Sequence, residues 1–243
     1  MKVFRGVAAL EKYLTTNRIS FGCLADTGFL YALAYKDDRL FDTANDVHDL
    51  LVEHKAPIYS NVISRVELID LIFRKQVTLG CVKLFESATS HSFHKPIYNT
   101  LKDIRDKNTA STRNHESYKV DEGRLKKVRK QLVDEYGMTD WSDFCSEFVD
   151  EKLLNEWTAV EQELGLNFIE VMEGEKSDLF NHPVRWNDMV ELMGKKGLRG
   201  PDAMIANLFD KSKFELLITS DSDFKNCFAD QLEIPMDKAI LVL

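Results

Sequence analysis

The sequence predicts an α/β fold: a parallel sheet with helices on both faces, interrupted by a helical insertion. Short apolar segments alternate with amphipathic ones in two portions of the chain, at about residues 1–75 and 164–243. Strands that alternate with helices form parallel sheets. Residues 76–163 between these portions keep a helical periodicity and contain no segment typical of a strand. We therefore expect one α/β domain in two parts, with the insertion at 76–163.

Five short apolar segments, each bounded by polar residues or turn formers, are predicted to be strands. They are FGCLA (21–25), APIYS (56–60), LNFIEV (166–171), ELLITS (215–220) and AILVL (239–243). The segments between them have helical spacing, and we expect Val62, Val66, Ile69 and Phe73 to face the core. The N-terminal segment MKVFRGVAALEKYLTTNR also has apolar residues at helical spacing, from Val3 to Leu14, and is predicted to be an amphipathic helix.

Composition narrows the functional class. The chain has 243 residues, is 44% hydrophobic and 30% charged, and carries a formal net charge of -8. This excess of acids argues against a protein that coats nucleic acid through bulk charge. Charge is segregated within the insertion, with 11 Lys/Arg against 5 Asp/Glu from Lys95 to Lys130. The following segment, 131–163, has 10 acids and one lysine. A local basic patch therefore remains compatible with the sequence.

Cysteine usage and hydropathy predict a cytoplasmic protein without a membrane partner. The 4 cysteines are scattered and form no C-x-x-C pair, which is typical of free thiols in a reducing compartment. No histidine lies near them at the spacing of a zinc site. No apolar run approaches the roughly 18 residues that a membrane span needs. The N-terminal segment also lacks the apolar region of a signal peptide.

Acidic residues stand at chemically suggestive places. Asp26 follows the first predicted strand, Asp221 follows ELLITS, and Asp223 comes two residues later. Asp202 lies in the first turn of an apolar helix, and Glu67 lies within another. The carboxyl ends of parallel strands share one edge of a sheet, where binding crevices form. If the carboxylates converge there, they need a cation, and oxygen ligands favour Mg²⁺ or Mn²⁺.

Simpler interpretations remain open at each position. The tripeptide Asp26-Thr27-Gly28 also occurs in aspartic proteases and resembles phosphatase motifs, and Thr27 could cap the following helix. Glu67 could face solvent, Asp202 could stabilise its own helix, and the acids after ELLITS could be turn residues. The cations Lys195, Lys196 and Arg199 could either end a helix before a glycine turn or contact substrate phosphates.

Four segments together resemble a known family. LADTGFLYAL, ISRVELIDL, GLRGPDAMIANLF and LLITSDSDF, in this order, look like the four motifs of the PIN domain. The resemblance covers about residues 20–75 and 164–243. PIN domains are metal-dependent ribonucleases, and the family includes the toxins of many toxin–antitoxin pairs. The 135 residues between Glu67 and Asp202 exceed the short connection of compact PIN toxins.

The resemblance implies a three-layer α/β/α fold with a five-stranded parallel sheet of order 3-2-1-4-5. It also implies a ribonuclease site that binds Mg²⁺ or Mn²⁺, with two ions bound when the substrate is present. The metal ligands that it implies are Asp26, Glu67, Asp202 and Asp221, with Asp223 as an accessory acid. It also implies that Thr219 lines the site. Independently of the resemblance, we predict that Thr27, Lys195, Lys196 and Arg199 line the substrate. The expected partners are an RNA substrate and an antitoxin or other protein, and a homodimer is left open.

The basic run GRLKKVRK, at 123–130, has two interpretations. Such a run is usually a solvated helix face. In a protein whose site consists of acids, it could instead hold the backbone of an RNA, because cations are needed somewhere to bind a polyanion. A binding module that recruits partners through its insertion, with little or no catalysis, is therefore the alternative to a ribonuclease.

Overall fold

The computed structural model describes residues 2–87, 95–114, 116–135, 141–165, 167–170, 178–221, 224 and 238–243. Within them the chain forms six strands and ten helices. The strands are β1 (Lys2–Arg5), β2 (Cys23–Ala25), β3 (Ile58–Asn61), β4 (Asn167–Ile169), β5 (Leu216–Thr219) and β6 (Ala239–Val242). The helices are α1 (Val7–Thr16), α2 (Thr27–Ala34), α3 (Phe41–Glu53), α4 (Val62–Ser87), α5 (Lys95–Arg113), α6 (Glu122–Glu135), α7 (Trp141–Phe148), α8 (Asp150–Leu164), α9 (Trp186–Lys196) and α10 (Gly200–Lys211).

All six strands form one parallel sheet in the order β1-β6-β5-β2-β3-β4. The predicted α/β class with a parallel sheet is confirmed. The prediction of five strands in the order 3-2-1-4-5 was wrong in its count, because a sixth strand, β1, extends the sheet beyond β6. With β1 set aside, β4, β3, β2, β5 and β6 follow one another across the sheet.

The additional strand lies in the segment that was predicted to be entirely helical. Val3 and Phe4 pair in register with Ile240 and Leu241 of β6. Gly6 then has a φ of 75°, a left-handed conformation that suits glycine, and α1 begins at the next residue. Apolar residues at positions 3 and 4 fit a strand as well as a helix, so spacing alone did not separate the two.

Helices cover the sheet on both faces, as in a three-layer α/β/α arrangement. Leu24, Leu217 and Ile240, from three neighbouring strands, pack in one core cluster with α10. The alternate residues of β2, Cys23 and Ala25, are also fully buried. Successive side chains of a strand point to opposite faces, so burial of both sets requires a cover on each side.

Helix α4 packs with a different face from the predicted one. Val62 is 42% exposed and Val66 is 60% exposed, whereas Leu68 and Ile72 are fully buried. The actual core stripe is therefore displaced by about a third of a turn. The sequence ISRVELIDLIF is apolar on more than one face, which allows either orientation.

A buried lysine ends α10. The Lys238 side chain is 3% exposed, and its Nζ donates to the carbonyl oxygens of Phe209, Asp210 (3.3 Å) and Ser212 (2.8 Å). The last carbonyls of a helix have no partners within the helix, and a cation there also interacts favourably with the negative end of the helix dipole. Lys238 therefore caps the helix that carries Asp202.

Contacts divide the chain into two compact units. The first comprises residues 1–36, 40–68 and 164–243, and the second comprises 37–39 and 69–163. The division falls within α4, somewhat before the predicted boundary at residue 76. In the described part of the second unit, the elements are helices without a strand. Its own core contains Val77, Ile104, Val128 and Phe144, each fully buried.

Among the described residues, no helix combines the length and the apolar character that crossing a membrane requires.

Candidate functional site

The site lies where two central strands run side by side and their connections diverge. β2 and β5 are parallel neighbours, and the chain leaves β2 toward β3 but leaves β5 toward β6, on the other side. The backbone N–H of Asp26 donates to the Ile218 carbonyl at 2.9 Å. Asp26 therefore stands at the switch point of the sheet, where α/β proteins bind their ligands.

Both carboxylate oxygens of Asp26 are held by hydrogen bonds. The Asp26 side chain is buried, with 6% exposure. Its Oδ1 accepts from the Thr27 backbone N–H at 2.6 Å, and its Oδ2 accepts from the Thr219 hydroxyl at 2.8 Å. The Thr219 hydroxyl in turn accepts from the backbone N–H of Asp221 at 2.9 Å. Thr219 thus joins the end of β5 to the carboxylate at the end of β2.

A second threonine holds Glu67. The Thr27 hydroxyl donates to Glu67 Oε2 at 2.7 Å and lies 3.5 Å from the Ser64 carbonyl oxygen. Thr27 is therefore not the helix cap that the sequence suggested. Asp26 is the N-cap of α2, and Thr27 is the first helical residue. This leaves the threonine hydroxyl available to bring a carboxylate of α4 next to the Asp26 loop.

The Asp26 carboxyl is buried and lies near other acids. Burial raises the pKa of the Asp26 carboxyl to about 6 from 3.8. Its bonds to Thr219 and Thr27 lower this pKa, whereas the negative charges of Glu67 and Asp202 raise it further. Asp202, in the first turn of α10, is therefore close enough to act on Asp26 through its field. A cation placed here would favour the ionised carboxylate.

The residues fit a hard divalent ion bound with several waters. Among the described residues, no three His, Cys, Asp or Glu side chains form a ready-made metal-binding group. Mg²⁺ commonly uses one or two carboxylates and keeps waters in its remaining positions, so a closed group is not required. The buried Asp26 carboxylate and the Glu67 carboxylate, which is bonded to the neighbouring Thr27, offer oxygen ligands of this kind.

The remaining predicted residues have separate surroundings. Asp223 lies outside the described residues. Lys195 is exposed and pairs with Glu191 at 2.7 Å on the surface of α9. Lys196 is partly buried at the end of α9, and Arg199 is exposed at the residue before α10. Their assignment to substrate contacts stays a prediction.

Some residues near Glu67 were not selected from the sequence. The Arg65 guanidinium lies 4.5 Å from the centre of the Phe168 ring, which belongs to β4. Asn61 Oδ1 accepts from the backbone N–H groups of Ile63 (2.8 Å) and Ser64 (3.0 Å), which fixes the start of α4. An asparagine before a helical run is a recognisable N-terminal signal. The stacking of Arg65 joins residues about a hundred positions apart, so no local pattern indicates it.

An apolar cavity of about 50 Å³ opens at the ends of β3 and β4. Its lining includes Ile169, Met204 and the half-exposed Trp186, and Asn61 is its amide-bearing residue. The cavity suits a small apolar group and offers no carboxylate to a cation.

The backbone of Gly28 lies close to the side chain of Ser220. A Cβ on Gly28 would lie 1.9 Å from Ser220 Oγ and 3.1 Å from Ser220 Cβ. The exposed Ser220 hydroxyl can rotate away, so the lasting contact is the one with Ser220 Cβ. We therefore expect Gly28→Ala to lower the free energy of unfolding by about 1 kcal/mol, at the low end for overpacked sites. Adding Ser220→Gly should restore most of this loss, as urea denaturation would measure.

The matched control for this substitution is Gly194→Ala. A Cβ on Gly194 would meet nothing within 4 Å, so alanine there should be neutral or slightly stabilising in α9. Equal losses at both glycines, or a loss at Gly28 that Ser220→Gly leaves unchanged, would contradict the steric explanation.

No family model, curated protein or solved structure gives a significant match to this chain.

Proposed function

We propose that this protein is a Mg²⁺- or Mn²⁺-dependent ribonuclease of the PIN type that hydrolyses RNA phosphodiesters. The observation that carries the proposal is the position of Asp26. Its carboxylate is buried at the switch point of a parallel sheet, and the charges of Glu67 and Asp202 act on it. The four motifs that resemble the PIN domain agree with this acidic site.

Asp26, Glu67, Asp202 and Asp221 would hold the ions, with Asp223 as an accessory acid. Divalent ions bound there would lower the pKa of a water molecule and would place positive charge beside the phosphodiester. The chain's own hydroxyls fix the carboxylates: Thr219 orients Asp26, and Thr27 orients Glu67. A carboxylate that does not bind a metal directly could accept the proton of the attacking water.

A second candidate function is a binding module with little or no catalysis. The exposed cations Lys127, Arg129 and Lys130 of α6, which lie in the second unit, favour it. In this function the acids would bind a metal without turnover, and the second unit would recruit RNA or protein. The two functions differ in whether cleavage accompanies metal binding.

The test substitutes one acid of the site and one acid outside it on the same helix. Glu67→Gln should lower Mn²⁺-dependent cleavage of an RNA panel by at least about 100-fold, in the range of a lost metal or proton-transfer group. Asp70→Asn removes the same charge from α4, where Asp70 pairs with Arg74 at 2.8 Å, and should leave cleavage unchanged. EDTA should stop cleavage by the wild type.

Two results would overturn the proposed ribonuclease. If the wild type binds Mn²⁺ without cutting any RNA of the panel, the binding module is the better description. If Glu67→Gln and Asp70→Asn reduce cleavage equally, the activity does not depend on the acids around Asp26.

A further inference from the structure

A broad polar groove lies between α5 and α6 in the second unit. It encloses about 480 Å³, and its lining includes Asn99 and Thr100 of α5 and Gly123, Arg124 and Lys127 of α6. The groove also contains Asp103 and Asp121. Its lining is therefore polar, with cations from the basic run that the sequence singled out.

The acids of the groove are paired, whereas several cations of α6 have no ion-pair partner among the described residues. Arg124 Nη2 lies 3.1 Å from Asp103, and Nη1 lies 3.0 Å from Asp121. Lys107 Nζ also lies 3.2 Å from Asp103, so Arg124 and Lys107 together offset the two acids of the groove. For Lys127, Arg129 and Lys130, all exposed, the described part of the chain provides no ion-pair partner. This part of α6 presents net positive charge on a chain whose total is -8.

Lys127 and Lys130 continue the groove along the helix. Gly123, Lys127 and Lys130 are spaced by four and three residues, so they follow one another on one face of α6. Val128 and Leu132, on the opposite side, are fully buried in the core of the second unit. The buried side fixes the orientation of α6 and keeps the lysine face toward solvent.

The chemistry of this face suits a polyanion better than a protein surface. Protein interfaces depend on aromatic and aliphatic anchors. Nine large hydrophobic residues are exposed in the described part of the chain, and none of them belongs to α5 or α6. The face has lysines beside amide and hydroxyl groups, its two acids are paired with Arg124, and it has no such anchors, which matches the contacts that proteins make with phosphates and sugars.

We propose that the groove between α5 and α6, with Lys127 and Lys130, binds the phosphate backbone of RNA without reading its sequence. The inference deepens the proposed ribonuclease function and rests on it for the choice of RNA. It assigns RNA retention to the second unit, while the acids of the first unit carry the chemistry. An acidic partner protein is the competing occupant.

The test measures binding separately from cleavage. The full chain carrying Asp26→Asn, in EDTA, is titrated with a fluorescent single-stranded RNA of about 20 nucleotides at several KCl concentrations. Each lost phosphate contact lowers the slope of log affinity against log salt by about 0.7 for a single strand. Lys127→Gln with Lys130→Gln should therefore lower the slope by about 1.4 and the affinity at 0.1 M salt roughly 25-fold.

The matched control is Lys2→Gln with Lys12→Gln, two exposed lysines of the first unit. It changes the net charge equally and should reduce affinity by less than about 3-fold, since bulk charge acts weakly through screening salt. Equal effects of the two pairs would overturn the inference. So would an absence of RNA binding, including the case in which the protein captures an acidic polypeptide such as polyglutamate instead.

The outcomes separate this inference from the proposed function. If the α6 variant loses RNA affinity but the wild type cuts no RNA with Mn²⁺, the binding face stands and the ribonuclease fails. If the wild type cuts RNA and the α6 variant binds and cuts equally well, the ribonuclease stands and the binding face is wrong.

Discussion

Asp26→Asn should abolish metal-dependent RNA cleavage and, without metal at pH 7.5, raise the free energy of unfolding by up to roughly 3 kcal/mol. The two effects have one cause. Asp26 is buried beside other acids, and its pKa is raised to about 6. One pKa unit corresponds to about 1.4 kcal/mol, and the displacement is about two units. Removing the charge removes this penalty and, with it, the metal ligand.

The pH dependence follows from the sign of the shift. Below about pH 4 the Asp26 carboxyl is protonated in both the folded and the unfolded chain, so it contributes nothing. Between about pH 4 and 6 the unfolded chain loses this proton first, and the folded wild type is progressively destabilised. Above about pH 6 the penalty is complete. The advantage of the variant should therefore be absent at pH 4 and full at pH 7.5.

Urea denaturation in EDTA across this pH range measures the difference. Asn can keep both hydrogen bonds, because its oxygen accepts from the Thr27 N–H and its amide can donate to Thr219. Asp46→Asn, at an exposed position of α3, is the control and should change stability little at any pH. A variant that is less stable than the wild type at pH 7.5, or that still cleaves with Mn²⁺, would contradict the assignment of Asp26.

Lys238→Met should lower the free energy of unfolding by roughly 3 kcal/mol. Methionine keeps the aliphatic stem but removes the ammonium that donates to three carbonyls at the end of α10. Hydrogen bonds to a charged group contribute about 1.5–3 kcal/mol each, partly offset because a buried charge is costly to desolvate. The Phe209 carbonyl would keep the Ser212 hydroxyl as a donor (2.9 Å), and the Ser212 carbonyl would keep the Asn181 amide (3.4 Å), but both would lose the charged donor.

Thermal unfolding measures this effect. A loss of this size lowers the melting temperature by roughly 6–12 °C in a chain of this length. Lys12→Met, on the exposed side of α1, is the control and should change the melting temperature by less than about 2 °C. Equal melting temperatures for the wild type and Lys238→Met would show that the ammonium contributes nothing net to stability.

The strands of the central sheet could be predicted because their signals are local. CLA and LLIT are buried on both faces, and their sequences are therefore almost entirely apolar. β1 could not be separated from the helix that follows, because Val3 and Phe4 suit both structures. Its pairing with β6 depends on Ile240 and Leu241, which are far away in the sequence, and no local pattern contains that information.

The place of Asp26 in the fold was predictable, and the groups that hold its carboxylate were less so. Asp26 and Asp221 follow apolar strands, and this position alone suggested a shared sheet edge. The role of Thr27 depends on Glu67, which lies forty residues away and contacts it through the packing of α4. The interpretation of Thr27 as a cap was reasonable locally, but Asp26 occupies the cap position instead.

The pairing of β2 with β5 also has a consequence for synthesis on the ribosome. Cys23 pairs with Leu216, although in the sequence all residues of the second unit lie between these two strands. The contacts of 69–163 are nearer in sequence and can form earlier, since closing a longer loop costs more entropy. Asp26 meets Thr219 only after β5 has emerged. A nascent chain should therefore acquire its lysine-bearing face before its acidic site, and it would hold RNA before it could cut it.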